Sequence, residues 1–223
     1  MKILDEAIKK GQSTLSEYES KKFLASYGIP ITKERLVKTK EEAIHAAKEI
    51  GFPVVLKGCA PEITHKTELN VVELDLRDDT SVADAYDRIA SHKGVSMDGV
   101  LVQEMIKGDR ELVIGLTRDP QFGPCVMFGL GGIFTEILND VSFRIVPLEN
   151  RDALEMAKEI RGHKILDAFR GKPPVNLDIL CQALISIGNI GLEFEQIKEI
   201  DINPLIINGD KPVAVDALVV LNV

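Results

Sequence analysis

The chain has 223 residues, 45% of them apolar and 28% charged, which is enough for a sizeable core and long for one simple domain. Its net charge of −8, with no basic stripe, argues against nucleic acid as a partner, because nothing is placed to neutralise a run of phosphates. No apolar run reaches the roughly 18 residues of a membrane-spanning helix. The opening stretch MKILDEAIKKGQS has no signal-peptide core, so a cytoplasmic protein without a membrane partner is the expectation.

In chain order, Ser16 with Glu19 three residues on forms a capping box. It predicts a helix through EYESKKFLASYG that Gly28 and Pro30 end. RLVKT is a short strand, and Thr39 with Glu42 makes a second capping box opening the helix KEEAIHAAKEIG. PVVLK reads as a short buried strand, NVVELDL as a half-buried one and SVADAYDRIASHKG as a helix. The period then changes to two. GVLVQEMI, RELVIGLTRD and PCVMFG are three consecutive strands with KGD and PQFG as turns, and SFRIVPL follows GLGGIFTEILND. RDALEMAKEIRGHKIL and LDILCQALISIGNIG are helical, and the strands IKEIDINPLII and PVAVDALVV close the chain around the tight turn NGD. This order implies an α+β fold of two lobes, residues 1–104 and 105–223.

Several residues could carry chemistry. Lys57 ends a buried strand, where it either snorkels to the surface or places a point charge on a phosphate. The loop after it, GCAPEITHKTELN, carries Thr64, His65 and Lys66 where a phosphate loop would lie. Gly129, Gly131 and Gly132 are turn residues or a close approach of backbone N–H groups to an anion. Glu111 is a solvated edge charge or an acceptor for ribose hydroxyls, and Gln103 and Glu104 could serve an adenine amino group. Asn203 and Asp216 lie on the two closing strands; either Asn203 simply makes a turn with Pro204, or the two residues converge on Mg²⁺, which takes one or two protein oxygens beside phosphates. Asp201 projects to the same strand face as Asn203. His45 reads as a surface residue, His92 as a helix-end charge and His163 as structural. The three cysteines, Cys59, Cys125 and Cys181, show no zinc or disulfide spacing and read as plain buried or half-buried thiols.

LSEYESKKFLASYGIP, FPVVLK, PEITHKTELNVV, the block from LVQEMIKGDRELVIGL to SFRIVPL, and EIDINPLII with AVDAL together resemble the ATP-grasp fold. More closely they resemble the ATP-grasp (beta) subunit of ADP-forming acetate–CoA ligases, and distantly the beta subunit of succinyl-CoA synthetase. The resemblance spans about residues 15–220 and implies two α/β lobes with ATP or ADP between them. It implies that Lys57 holds nucleotide phosphate, that Thr64, His65 and Lys66 lie on the phosphate-covering loop, and that Gln103 and Ile106 lie on the adenine-contacting strand. It also implies that Glu111 binds ribose, that Asn203 and Asp216 hold Mg²⁺, and that Asp201 steadies a phosphohistidine. His65 becomes a phosphate carrier, with Lys57, Lys66, Arg144 and Mg²⁺ neutralising the phosphate in flight. The implied partner is an alpha subunit with the CoA-binding, acyl-phosphate and first phosphohistidine domains, in a heterotetramer or larger assembly.

Two departures from succinyl-CoA synthetase-like chains stand out. Thr64-His65-Lys66 replaces a glycine- and arginine-rich loop, and no further ligase domain follows the closing strands, so activity without a partner is not expected. Two other readings are a stand-alone ATP-grasp ligase joining a carboxylate to an amine or thiol, and a non-catalytic ATP-sensing subunit. The first would tolerate loss of His65; the second would bind ATP without phosphoryl transfer.

Overall fold

Capping boxes fix where three helices begin. The Ser16 hydroxyl accepts from the Glu19 N–H while the Glu19 carboxylate accepts from the Ser16 N–H, and Thr39 with Glu42 repeats the exchange. Asp78 with Ser81 makes a third such box. Each box satisfies two of the N–H groups that a helix start leaves open, an effect of about 1 kcal/mol for the cap residue.

The structure is a computed structural model that describes residues 2–61, 71–92, 97–132 and 140–222. Helices α1 (Lys2–Lys9) and α2 (Glu17–Ala25) lead into β1 (Glu34–Val37), α3 (Lys40–Ile50), β2 (Val54–Cys59), β3 (Val72–Leu76), α4 (Asp79–Ala90) and β4 (Gly99–Glu104). The four strands form an antiparallel sheet in the order β1-β4-β2-β3. Alternation gives each strand a covered and an uncovered face. Val37, Val54, Leu56, Val100 and Val102 pack with Ala43, Ala47, Val82 and Ile89 of α3 and α4, while Lys57, Leu101 and Gln103 point the other way.

The chain continues through β5 (Glu111–Asp119), β6 (Gly123–Leu130), β7 (Val141–Ile145), α5 (Asn150–Glu159), a 3₁₀ turn (His163–Leu166), α6 (Leu177–Glu193), β8 (Ile197–Asn208), β9 (Lys211–Ala214) and β10 (Leu218–Leu221). These strands make the larger antiparallel sheet, β10-β8-β5-β6-β7, with β9 on the same edge of β8 as β10. Its buried face meets α5 and α6 around Leu116, Phe128, Met156, Leu184 and Ile187.

Three features differ from the sequence reading. The polar N-terminal stretch forms helix α1, which buries Leu4 and Ala7. Leu4, Leu15, Phe23, Leu24 and Ile29 join the core of the larger sheet, so α1 and α2 pack with the second half of the chain and not within residues 34–104. The last expected strand is broken into β9 and β10 at Val215–Ala217.

All three cysteines are buried. Among the described residues no helix is long and apolar enough to cross a membrane.

Arg118 closes the larger sheet against α6. Its guanidinium donates to the carbonyls of Gly191 (2.8 Å), Phe194 (2.7 Å) and Ile197 (2.6 Å), at the end of the helix and the start of β8. Arg118→Ala leaves these carbonyls without a charged donor and is expected to cost about 2–3 kcal/mol. Urea unfolding at unchanged slope measures it.

Candidate functional site

The break between β9 and β10 has a cause in one residue. Continuing the β8–β9 and β8–β10 registers, in which Leu205 faces Ala214 and Asp201 faces Leu218, puts Val215 opposite Pro204 and Asp216 opposite Asn203. The Val215 N–H donates to the Pro204 carbonyl at 3.1 Å. Proline has no N–H to return the bond, so the Val215 carbonyl is released from the ladder. Two ammonium groups take it: Lys57 Nζ at 3.1 Å and Lys21 Nζ at 3.3 Å.

Lys57 comes from the uncovered face of the small sheet and is buried at 6% exposure. Its Nζ also donates to Glu17 Oε1 at 2.8 Å and lies 4.0 Å from Asp216 Oδ2. Lys21, fully buried, reaches the same Glu17 oxygen at 2.8 Å, Gln103 Oε1 at 2.7 Å and Thr32 Oγ1 at 3.2 Å, and pairs with Glu34. Burial alone would lower the Lys21 ammonium, but Glu17 and Glu34 more than offset it and hold it above the usual lysine value. Glu34 and Gln103 are cross-strand partners on the same face as Lys57. The network therefore joins α2, the small sheet and the β9–β10 break at one point.

On the larger sheet, Asp201 and Asn203 share the face away from α5 and α6, since Ile200 and Ile202 between and beside them fill the core. Asp201 lies across from Gly115 on one side and Leu218 on the other. Burial, with Glu199 and Asp216 adding negative charge nearby, pushes its carboxyl up to about 6. Asn203 and Asp216, side by side in register, present two oxygen-bearing side chains of the kind Mg²⁺ accepts. Among the described residues no three His, Cys, Asp or Glu side chains gather as a metal-ligating group.

Glu111 begins β5 on the same face. Its carbonyl accepts from the Gly131 N–H at 2.8 Å. A Cβ on Gly131 would stand 2.7 Å from the Leu112 carbonyl oxygen, and one on Gly132, at φ +63°, would stand 2.5 Å from Glu111 Oε2. Gly131 and Gly132 thus let the chain pass against Glu111 and Leu112, whereas a Cβ on Gly129 would stand 2.6 Å from the Asp140 carbonyl oxygen, on the side of the neighbouring strand.

Glu104 and Ile106 lie at the passage from β4 toward β5, both half-buried. The Glu104 carboxylate accepts from the Lys33 N–H at 2.7 Å, so it completes the sheet edge. Arg144 is not brought to this group. It lies across from Val126, in the row of Leu116 and Ile200 on the covered face, and its guanidinium is held by Glu159 of α5 at 2.5 and 2.9 Å. Thr64, His65 and Lys66 lie outside the described residues.

Glu17 and Lys21 were not singled out from sequence. Glu17, Ser20, Lys21 and Leu24 follow the i, i+3, i+4, i+7 spacing of a core-facing stripe, and all four are buried. Charged residues on that stripe were the available signal.

A family model described as ATP-grasp domain matches residues 6–221. The chain belongs to the ATP-grasp family. It is 42% identical over 212 residues, 93% of this chain and 91% of the relative, to the beta subunit of ADP-forming acetate–CoA ligase I of Pyrococcus furiosus. A solved acetyl-coenzyme A synthetase 1 of Ca. Korarchaeum cryptofilum, in complex with coenzyme A, Ca-AMPCP and HgCl⁺, is 45% identical with TM-score 0.95 over 99% of each chain. Another structure of that enzyme, with coenzyme A, Mg-AMPPCP and a phosphohistidine segment pointing towards the nucleotide binding site, gives 45% identity and TM-score 0.88, again over 99% of each chain. The ATP-grasp fold explains why two sheets from different parts of the chain bring their uncovered faces to one junction.

The contact of Gly132 with Glu111 can be tested in this ATP-grasp chain. Gly132→Ala and Gly209→Ala both strain a positive φ, but nothing lies within 4 Å of a Cβ at Gly209. Gly209→Ala is expected to cost about 1 kcal/mol from backbone strain, and Gly132→Ala at least about 1 kcal/mol more from displacing Glu111. Equal losses in thermal or urea unfolding would show that Glu111 is not held against Gly132.

Proposed function

We propose that this chain is the nucleotide-binding subunit of an ADP-forming acyl-CoA synthetase, in which acyl-CoA, ADP and phosphate become carboxylic acid, CoA and ATP. The observation that carries the reading is the buried Lys57, fixed beside Asp216 where the two sheets meet. The fold is shared almost end to end with an enzyme solved with nucleotide analogues. The two sheets act as the two lobes, and the nucleotide lies between their uncovered faces.

In this reading Lys57 meets the phosphates as a point charge. Gln103, Glu104 and Ile106 line the adenine side, with Glu104 contributing through its backbone because its carboxylate is taken by Lys33. Glu111 accepts from ribose, and Asn203 and Asp216 hold Mg²⁺. The ion, when bound, supplies charge neutralisation for the transferring phosphoryl group. Arg144 plays no part, because its guanidinium is spent on Glu159 on the other face.

His65 follows β2 in the chain, eight residues beyond Lys57 and five beyond Ala60, with Thr64 and Lys66 as its phosphate-binding neighbours. Its imidazole takes a phosphoryl group from a phosphohistidine of a partner alpha subunit: the partner's P–N bond breaks as a P–N bond to His65 forms. A terminal oxygen of ADP then attacks, the new P–N bond breaks and ATP leaves. Asp201 accepts a hydrogen bond from the incoming phosphohistidine ring. Coenzyme A and acyl group are handled by the partner.

Peptide mass spectrometry after mixing the chain with its alpha partner, acetyl-CoA, phosphate and Mg²⁺, without ADP, should place a phosphate on His65 that ADP discharges. His65→Ala should bind ADP normally and make no ATP. Phosphate on the partner alone, with full turnover in the variant, would refute the relay.

Asp216→Ala and Asn203→Ala should each raise the Mg²⁺ needed for half-maximal ATP formation by at least about tenfold. An unchanged metal dependence would move the ion elsewhere.

A further inference from the structure

Cross-strand register sets a row of residues on the open face of the larger sheet. Asp201 lies across from Gly115, Gly115 from Met127, and Met127 from Phe143. Two residues along the strands, Thr117, Cys125 and Ile145 make a second row beside it. The face is acidic at one end, where Glu199 shares the side of Asp201 on β8. It is apolar at the other, where Phe143 and Ile145 on β7 are each 50% exposed. In between, Gly115 has no side chain, and a Cβ there would stand 3.1 Å from Met127 Cε. Met127 thus leans over the glycine toward Asp201 and gives the row a low apolar floor.

Two bulky apolar side chains exposed together, on the face that α5 and α6 do not cover, mark a contact surface. The outer edge of β7 is guarded against an added strand. Its Phe143 carbonyl accepts from Arg144 Nη1 at 2.9 Å, and Glu159 anchors that guanidinium, so a pairing strand would have to displace a charged group. The face is what remains, and its charge order selects the occupant: a polypeptide with a cationic donor at one end and an apolar side chain at the other. Strands lie about 4.8 Å apart, so the three steps from Asp201 to Phe143 span roughly 14 Å, which an extended chain covers in about four residues. The partner's histidine segment has the chemistry for the acidic end, because its ring, when protonated, offers an N–H to a carboxylate.

We propose that the row from Asp201 to Phe143 is the docking track for the histidine segment of the alpha partner. The imidazole sits at Asp201, and an apolar side chain about four extended residues away in that segment packs on Phe143, Ile145 and Met127. The proposal rests on the phosphate-relay reading given above and adds to it the surface that steers the segment. Asn203 and Glu111 lie further along β8 and β5 from the second row, so the nucleotide and the segment approach Asp201 from opposite sides.

Photocrosslinking in the complex tests it. The full chain with p-benzoylphenylalanine in place of Phe143 is irradiated with the alpha partner, acetyl-CoA, phosphate and Mg²⁺, without ADP. The crosslink should join the partner peptide that holds its phosphohistidine. A crosslink to another part of the partner, to a second copy of this chain or to another part of the same chain would overturn the proposal. In parallel, Phe143→Glu should slow phosphate transfer from the phosphorylated partner by at least about tenfold, with Mg-ADP affinity changed by less than about twofold. Phe169→Glu, at a ring 59% exposed elsewhere on the chain, should change neither. An unchanged transfer rate in Phe143→Glu, or equal slowing in both variants, would also overturn it. Wild-type chain that takes no phosphate from the phosphorylated partner would sink the relay reading and the track with it, whereas wild-type transfer with the crosslink elsewhere sinks the track alone.

Discussion

The missing N–H of Pro204 is the constraint from which the rest of the site follows. A regular ladder would consume the Val215 carbonyl, and β9 and β10 would run on as one strand. With proline opposite, that carbonyl, in a half-buried residue, is left to other donors, since an unpaired carbonyl away from water costs up to about 1–3 kcal/mol. Lys57 and Lys21 supply them, from a different sheet and from α2. A backbone defect in the large sheet thus becomes the point at which the small sheet is fastened. The lysines are in turn tolerable in the interior only because Glu17 and Glu34 accompany them. Removing any one charge leaves the others exposed to the full cost of burial.

Fastening at one junction explains how the two uncovered faces come to work together. Lys57 and Gln103 belong to the small sheet, Asp201, Asn203 and Glu111 to the large one, and Asp216 to the break that both share. None of these is near another in sequence except Asp201 and Asn203. Their assembly depends on strand parity: Lys57 faces α2 because Leu56 faces α3 and α4, and Asp201 faces outward because Ile200 and Ile202 face α5 and α6. Hydrophobic alternation therefore delivers the polar groups as well as the core.

Much of this was legible in the sequence. The capping boxes at Ser16 and Thr39 name their helix starts, and the period-two runs from residue 99 onward name β4, β5 and β6. What failed did so for physical reasons. Arg144 was expected beside the phosphates, but its parity depends on the register of β7 against β6, and a shift of one residue moves a side chain to the other face. The continuous final strand was expected because PVAVDALVV is strand-like throughout, and the proline that interrupts its pairing lies in the neighbouring strand. Glu17 and Lys21, four apart in a helix, look like a solvent-exposed ion pair until the burial of Ser20 and Leu24 on the same stripe is known.

The electrostatics of the two sides of the junction are opposite in kind, and that opposition fits a site for phosphoryl transfer. Behind Lys57 the charges are matched in pairs and closed off from water. Around Asp201 acidic groups gather: burial first, then Glu199 and Asp216, push its carboxyl up to about 6 on the open side. A cation arriving there relieves the crowding and favours the ionised carboxylate. Mg²⁺ is one such cation, and an imidazole that carries a proton is another. Both would bind more readily once Asp201 is ionised, and each would favour ionisation for the other. On the reading proposed for this chain, metal-nucleotide and the partner's histidine segment are then linked through the same acidic patch.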